Sequence, residues 1–178
     1  FIVADTPGHE QYTRNMITGA STADLAVVLV DARQGVLTQT KRHAYLISLV
    51  GIQHVILAIN KVDLVDYQKE VFDAIVADFN GLAKPLGFKK ITPIPLSALK
   101  GDNITERSGR SPWYHGPTLM GCLESIDIER PTENKPVFPV QWVNRPNANF
   151  RGFSGTLASG ELAVGEQLRV TASGQTAH

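Results

Sequence analysis

Three short stretches of the chain carry residue types suited to chemistry on a nucleotide. The first is Asp5-Thr6-Pro7-Gly8-His9, which follows the apolar residues Phe1, Ile2, Val3 and Ala4. A carboxylate at a strand end can hold the water shell of Mg²⁺, and the Gly8 N–H can approach a phosphate oxygen with no side chain in the way. His9 then projects where an attacking water would be. The same residues also make a plain strand-ending turn, since Asp, Pro and Gly are favoured in turns. The second stretch, Asn60-Lys61-Val62-Asp63, decides between these readings. Asp63 offers two acceptors for the ring N–H and exocyclic amine of guanine, whereas adenine presents no matching pair of donors. Asn60 can bond the other edge of the purine or tie neighbouring loops together, and the Lys61 stem can lie across the base plane. A buried match of this kind discriminates by about 10⁴ to 10⁵, because the wrong base leaves polar groups unpaired. The third stretch is Ser97-Ala98-Leu99, whose small side chains permit close approach and whose Ala98 N–H would meet the guanine oxygen.

These residues need strand ends to stand on, and the hydrophobic pattern supplies them. Residues 25–30 (LAVVLV) and 55–59 are continuous apolar runs, the signature of parallel strands buried on both faces. A proline-bearing strand over 91–96 suits a sheet edge. Helices are expected over 11–23, over 38–50 with Thr38 as cap and Gly51 as stop, and over 67–84 with Val71, Phe72, Ile75, Phe79, Leu82 and Ala83 on one stripe. Pro117 fits the first turn of a further helix that buries Met120, Leu123 and Ile126, with Cys122 packed among them. Alternating strands and helices predict an α/β fold, a right-handed doubly wound parallel sheet. Composition shifts at residues 131–136, read as a linker after a first domain over 1–130. Beyond it, residues 137–143, 155–158 and 167–171 read as short strands, the start of a β-barrel over 137–178.

Composition narrows the class. The 178 residues are 43% hydrophobic and 19% charged, with 17 basic against 17 acidic side chains. That balance gives no broad basic surface for nucleic acid. A single cysteine rules out an intrachain disulfide and is compatible with a reducing cytoplasm. No run reaches the roughly 18 apolar residues of a membrane span. The phosphate-cradling G-x-x-x-x-G-K-[ST] loop is missing: Gly160 and Gly165 have the glycine spacing, but Glu166 and Gln167 follow, so that stretch reads as a barrel turn.

In order and type, DTPGH, NKVD and SAL resemble the GTPases of the translation-factor superfamily. The resemblance implies a P-loop-NTPase-type domain with helices on both faces of its sheet, lacking its N-terminal phosphate loop, then a translation-factor-type β-barrel. GTP and Mg²⁺ are the implied cofactors, with Asp5 reaching the metal through water and His9 orienting the hydrolytic water. The family's phosphate loop and first switch precede the stretch matching Phe1, so the chain is expected to be an internal fragment that binds GTP poorly alone. Residues 101–119 resemble the elongation factor 1-alpha branch and also the GTPase subunits of bacterial sulfate adenylyltransferase. Residues 138–162, with Asn144-Arg145-Pro146-Asn147 and Phe150-Arg151-Gly152, resemble the sulfate-activating family, including the nodulation protein Q type, which is fused to adenylyl-sulfate kinase. Ala148-Asn149 depart from that family's pattern. This likeness implies GTP hydrolysis coupled to formation of adenylyl sulfate and pyrophosphate from ATP and sulfate, with a separate catalytic subunit as partner. Delivery of aminoacyl-tRNA by a translation elongation factor is the alternative.

Overall fold

The computed structural model describes residues 2–5, 13–127 and 135–177. The chain divides into two compact units, Phe1–Asp127 and Ile128–His178. The first holds helix α1 (Thr13–Ala20), strand β1 (Leu25–Asp31), α2 (Thr38–Val50), β2 (His54–Asn60), α3 (Lys69–Ala83), β3 (Lys90–Pro95) and α4 (Leu119–Ser125). The three strands form one parallel sheet in the order β1-β2-β3. The pleat sends alternate residues of β2 to opposite faces. Val55, Leu57 and Ile59 join Val28, Val30, Ala44, Ile47, Phe72, Ile75 and Phe79 under α2 and α3. Ile56 and Ala58 join Ile94, Leu96 and Cys122 under α4. Helices therefore cover both faces, and the parallel register aligns the carboxyl ends: Asp31 lies beside Asn60, and Ile59 beside Pro95.

Several local expectations are corrected. Burial on both faces holds for β2 but not for β1, where Val28 and Val30 are buried while Leu29 is 64% exposed. Among the described residues β1 lies at the edge of this sheet, with α2 packed against it. Residues 2–5 form no strand, and Ile2 and Val3 are exposed; a strand needs a paired neighbour, and no ladder reaches them among the described residues. The N-cap of α2 is Leu37, with no side-chain hydrogen bond, and Thr38 is already helical. The N-cap of α4 is Thr118, whose Oγ1 accepts from the Gly121 N–H at 3.1 Å, so Pro117 stands just before the helix. Cys122 is the most buried residue of α4. The proline-bearing β3 does lie at a sheet edge.

Gly51 ends α2 as expected. Its φ of 91° is left-handed, and the Ile52 N–H returns to Ile47 O at 3.2 Å, closing the last turn. Gly51→Ala puts a Cβ into that left-handed backbone and is expected to cost about 1 kcal/mol of stability. A lower urea midpoint at unchanged slope would report it; an unmoved midpoint would count against the cap.

The second unit carries two antiparallel ladders, β4 (Trp142–Asn144) with β5 (Gly152–Ser154), and β6 (Leu168–Arg169) with β7 (Thr176–Ala177). The strand expected over 155–158 falls earlier, because Trp142 pairs with Ser154 and Asn144 with Gly152. Gly160 and Gly165 have φ of 69° and 87°, and a Cβ on Gly160 would sit 2.7 Å from Lys135 C, so this glycine pair forms tight turns.

Candidate functional site

Asn60 closes β2 at the middle of the sheet, and its side chain organises the loops around it. Its Oδ1 accepts from the Lys61 N–H at 2.7 Å and from the Ala98 N–H at 3.0 Å. One carboxamide thus ties the 60–63 turn to the 97–99 loop, the second of the two roles open to Asn60. The Ala98 N–H, expected to meet a base oxygen, is held by Asn60 in this structure. A second tie runs from the Val62 N–H to Leu96 O at 3.3 Å. Val62 is 3% exposed and roots a 3-10 turn (Val62–Val65) that carries the half-buried Asp63 in its first turn. Ser97 is buried, its N–H donating to Asp102 O at 3.2 Å and its Oγ accepting from the Lys100 N–H at 3.3 Å. Leu99 is exposed.

Lys61 is held at both ends. Its φ of 65° is left-handed, a conformation that costs a non-glycine residue roughly 1 kcal/mol, and the bond to Asn60 Oδ1 offsets that cost. Its Nζ donates to Asp31 Oδ2 at 2.9 Å. Arg33 reaches the same carboxylate through Nε to Oδ1 at 3.0 Å and Nη2 to Oδ2 at 2.7 Å, and its backbone N–H donates to Oδ1. The Arg33 hydrogen bonds hold the Asp31 carboxyl well below the usual carboxylate range; burial opposes them and Lys61 adds to them. Asp31 is therefore an anion throughout the neutral range, and it fixes the course of the Lys61 stem. Asp31 ends β1, and its contact with Lys61 is not among the sequence expectations. The available signal was a carboxylate ending the strand next to the one that ends in Asn60-Lys61.

A second missed group is Asp102. Its carboxylate accepts from Tyr67 Oη at 2.6 Å, Ser108 Oγ at 2.7 Å and Arg110 Nη1 at 3.1 Å. Burial works to raise its pKa and is outweighed by these donors, so the group lies below its ordinary value. Neighbouring Asn103, 1% exposed, donates to Pro95 O at 2.8 Å and accepts from the Ser108 N–H, sewing the 101–116 loop to the end of β3. The loop is also sewn to α4, through Leu119 N–H to Asn103 O and Met120 N–H to Ile104 O, both 2.9 Å.

The phosphate-side expectations fare differently. Asp5 is exposed. Thr6, Pro7, Gly8 and His9 lie outside the described residues. Among the described residues the candidate site is thus the corner at the ends of β2 and β3, where a half-buried carboxylate and an anchored lysine stand beside the 97–99 loop.

The sequence profile of the elongation factor Tu GTP binding domain matches residues 1–139. The chain belongs to this family. Within this GTP binding domain family it is 58% identical over 177 residues to sulfate adenylyltransferase subunit 1 of Sulfurovum sp. (strain NBC37-1), covering 99% of this chain and 37% of that protein. It is 57% identical to the bifunctional enzyme NodQ of Rhizobium sp. (strain BR816), covering 98% of this chain and 28% of that one. The chain thus spans well under half the length of these relatives. Among solved structures, Sup35 complexed with GMPPNP superposes with a TM-score of 0.57 at 28% identity, over 89% of this chain and 42% of that one. A GTP binding domain of the elongation factor Tu type accounts for the parallel sheet with helices on both faces. No helix among the described residues is long and apolar enough to cross a membrane.

Proposed function

We propose that this chain is the guanine-reading part of a GTP-hydrolysing subunit of sulfate adenylyltransferase. The observation that carries the reading is the Asn60 carboxamide, which sets the Asn60-Lys61-Val62-Asp63 turn beside Ser97-Ala98-Leu99 at the carboxyl ends of adjacent strands. In this reading Asp63 takes the guanine ring N–H and exocyclic amine. The Lys61 stem, pinned by Asp31, lies along the base, and Ser97, Ala98 and Leu99 face its oxygen edge, with the Ala98 N–H shared between Asn60 and the base. Asp5 serves Mg²⁺ through water, Thr6, Pro7 and Gly8 line the terminal phosphate, and His9 orients the hydrolytic water. GTP supplies the driving reaction. A sulfate oxygen attacks the α-phosphorus of ATP on a separate catalytic subunit, pyrophosphate leaves and adenylyl sulfate forms.

Identity of 58% across nearly the whole chain favours sulfate activation over aminoacyl-tRNA delivery, as does the neutral charge balance. The likeness to proteins called bifunctional makes a fused adenylyl-sulfate kinase part of the proposal, with the cytoplasm as the proposed compartment. The full-length protein mixed with a catalytic sulfate adenylyltransferase subunit, ATP and sulfate is expected to raise adenylyl sulfate output when GTP is added. Output indifferent to GTP would remove the sulfate reading and leave only a GTP binding domain.

A further inference from the structure

The turn carrying Asp63 continues into an unusual backbone. Asp66 and Tyr67 have φ of 52° and 53°, two successive non-glycine residues in the left-handed region. Asp and Asn tolerate that region, but a tyrosine there needs something to hold it. Tyr67 is held three times. Its N–H donates to Val62 O at 2.9 Å, its carbonyl accepts from Trp113 Nε1 at 2.8 Å, and its hydroxyl donates to Asp102 Oδ2 at 2.6 Å. Trp113 in turn packs on Phe72 of α3, with ring centroids 5.2 Å apart.

Asp102 sits on the other base-side loop. Its backbone bridges Ser97, and the Ser97 N–H donates to Asp102 O. The Tyr67 to Asp102 bond therefore spans the far side of the same two segments that Asn60 joins on the near side. Ser108 and Arg110 occupy the remaining acceptor capacity of Asp102, so the carboxylate is fixed and 9% exposed. With the Asn60 carboxamide and the Val62 N–H to Leu96 O bond, the Tyr67 to Asp102 bond makes three ties between the two segments, and it is the one made farthest along both of them from Asn60.

We infer that Tyr67 and Asp102 are positioning residues, a clamp that sets where the Asp63 carboxylate stands against a bound base. The inference rests on the guanine reading above and adds to it that base selectivity depends on a bond made away from the base. Burial raises the pKa of the Tyr67 hydroxyl, with Asp102 adding to it, so the donor is present throughout the neutral range.

The test uses the full-length protein and three nucleotides, GTP, ITP and ATP. ITP differs from GTP only in lacking the exocyclic 2-amine, so the ratio of its Kd to that of GTP reports the second contact of Asp63. Tyr67→Phe removes one hydroxyl and is expected to shrink that ratio about tenfold, the scale of one hydrogen bond to a charged group. Loss of folded protein would weaken GTP and ITP alike and leave the ratio alone. Asp102→Asn keeps the side-chain volume and is expected to shrink the ratio as well, with the double variant no worse than the poorer single one. An unchanged ratio in Tyr67→Phe, or in Asp102→Asn should the first variant not fold, overturns the clamp while leaving guanine reading intact. Wild-type protein that binds ATP as well as GTP overturns the guanine reading and the clamp with it.

Discussion

Asp63→Asn in the full-length protein is expected to abolish the preference for guanine and to transfer it to xanthine. The carboxylate presents two acceptors, matched to the two adjacent donors of guanine. A carboxamide presents one acceptor and one donor, so a guanine amine would meet an N–H. Xanthine carries a carbonyl where guanine carries that amine, and the mismatch becomes a bond. Asp63 is half-buried on a turn rooted by Val62, so the substitution changes its hydrogen bonding with little change of shape. The fall in GTP affinity is expected to reach about 10³ to 10⁵, because a buried polar pair is left unmatched. Competition between GTP and XTP for a fluorescent nucleotide gives the number. Retention of the guanine preference would remove Asp63 from the site and with it the proposed reading.

Asn60→Ala should be the most damaging change to the architecture of the site. It strips the common acceptor from the Lys61 and Ala98 N–H groups and leaves Lys61 in a left-handed backbone with one restraint fewer. Two hydrogen bonds lost from partly exposed donors cost about 1–3 kcal/mol together. The effect on GTP affinity should be larger than the stability loss suggests, since the two loops separate where the base must fit. Asn60→Asp retains an acceptor in place and serves as the control. It is expected to recover most of the lost stability. Urea unfolding of both variants beside their GTP dissociation constants separates the two effects, and an Asn60→Ala midpoint equal to wild type would show that the carboxamide ties nothing together.

The strands and their order could be read from the chain because apolar runs are local signals. Five successive buried residues of β2, Val55 to Ile59, cannot be arranged any other way than between two covered faces. The run in β1 looks the same and behaves differently, since nothing in Leu25-Ala26-Val27-Val28-Leu29-Val30 states which neighbours will lie against each face. The base-side residues could be nominated from their types, and for Asn60 the structure shows the loop-tying role of the two that its type left open. What escaped were Asp31 and Asp102. Each is met by a donor 30 or 35 positions away, Lys61 and Tyr67 respectively, and periodicity carries no information at that range. The bounds of α2 were legible but its cap is Leu37 and not Thr38, and Pro117, expected in the first turn of α4, stands before the Thr118 cap, because cap identity is set by backbone angles that residue type does not fix. In the second unit, strands of two and three residues are too short for alternation to locate, and register alone sets them.

The seam between the 101–116 loop and the start of α4 gives this corner a schedule. Asn60 is in place as soon as β2 forms, yet the loop that completes the corner is sewn down by Leu119 and Met120. Sixty positions separate Asn60 from Met120. At a synthesis rate of about 5–20 residues per second, that interval lasts roughly 3–12 s on the ribosome. For that time the nascent chain exposes the lysine and carboxylate of an unfinished corner with no second wall. Base selectivity is therefore not complete before Met120 has been made, sixty positions after Asn60.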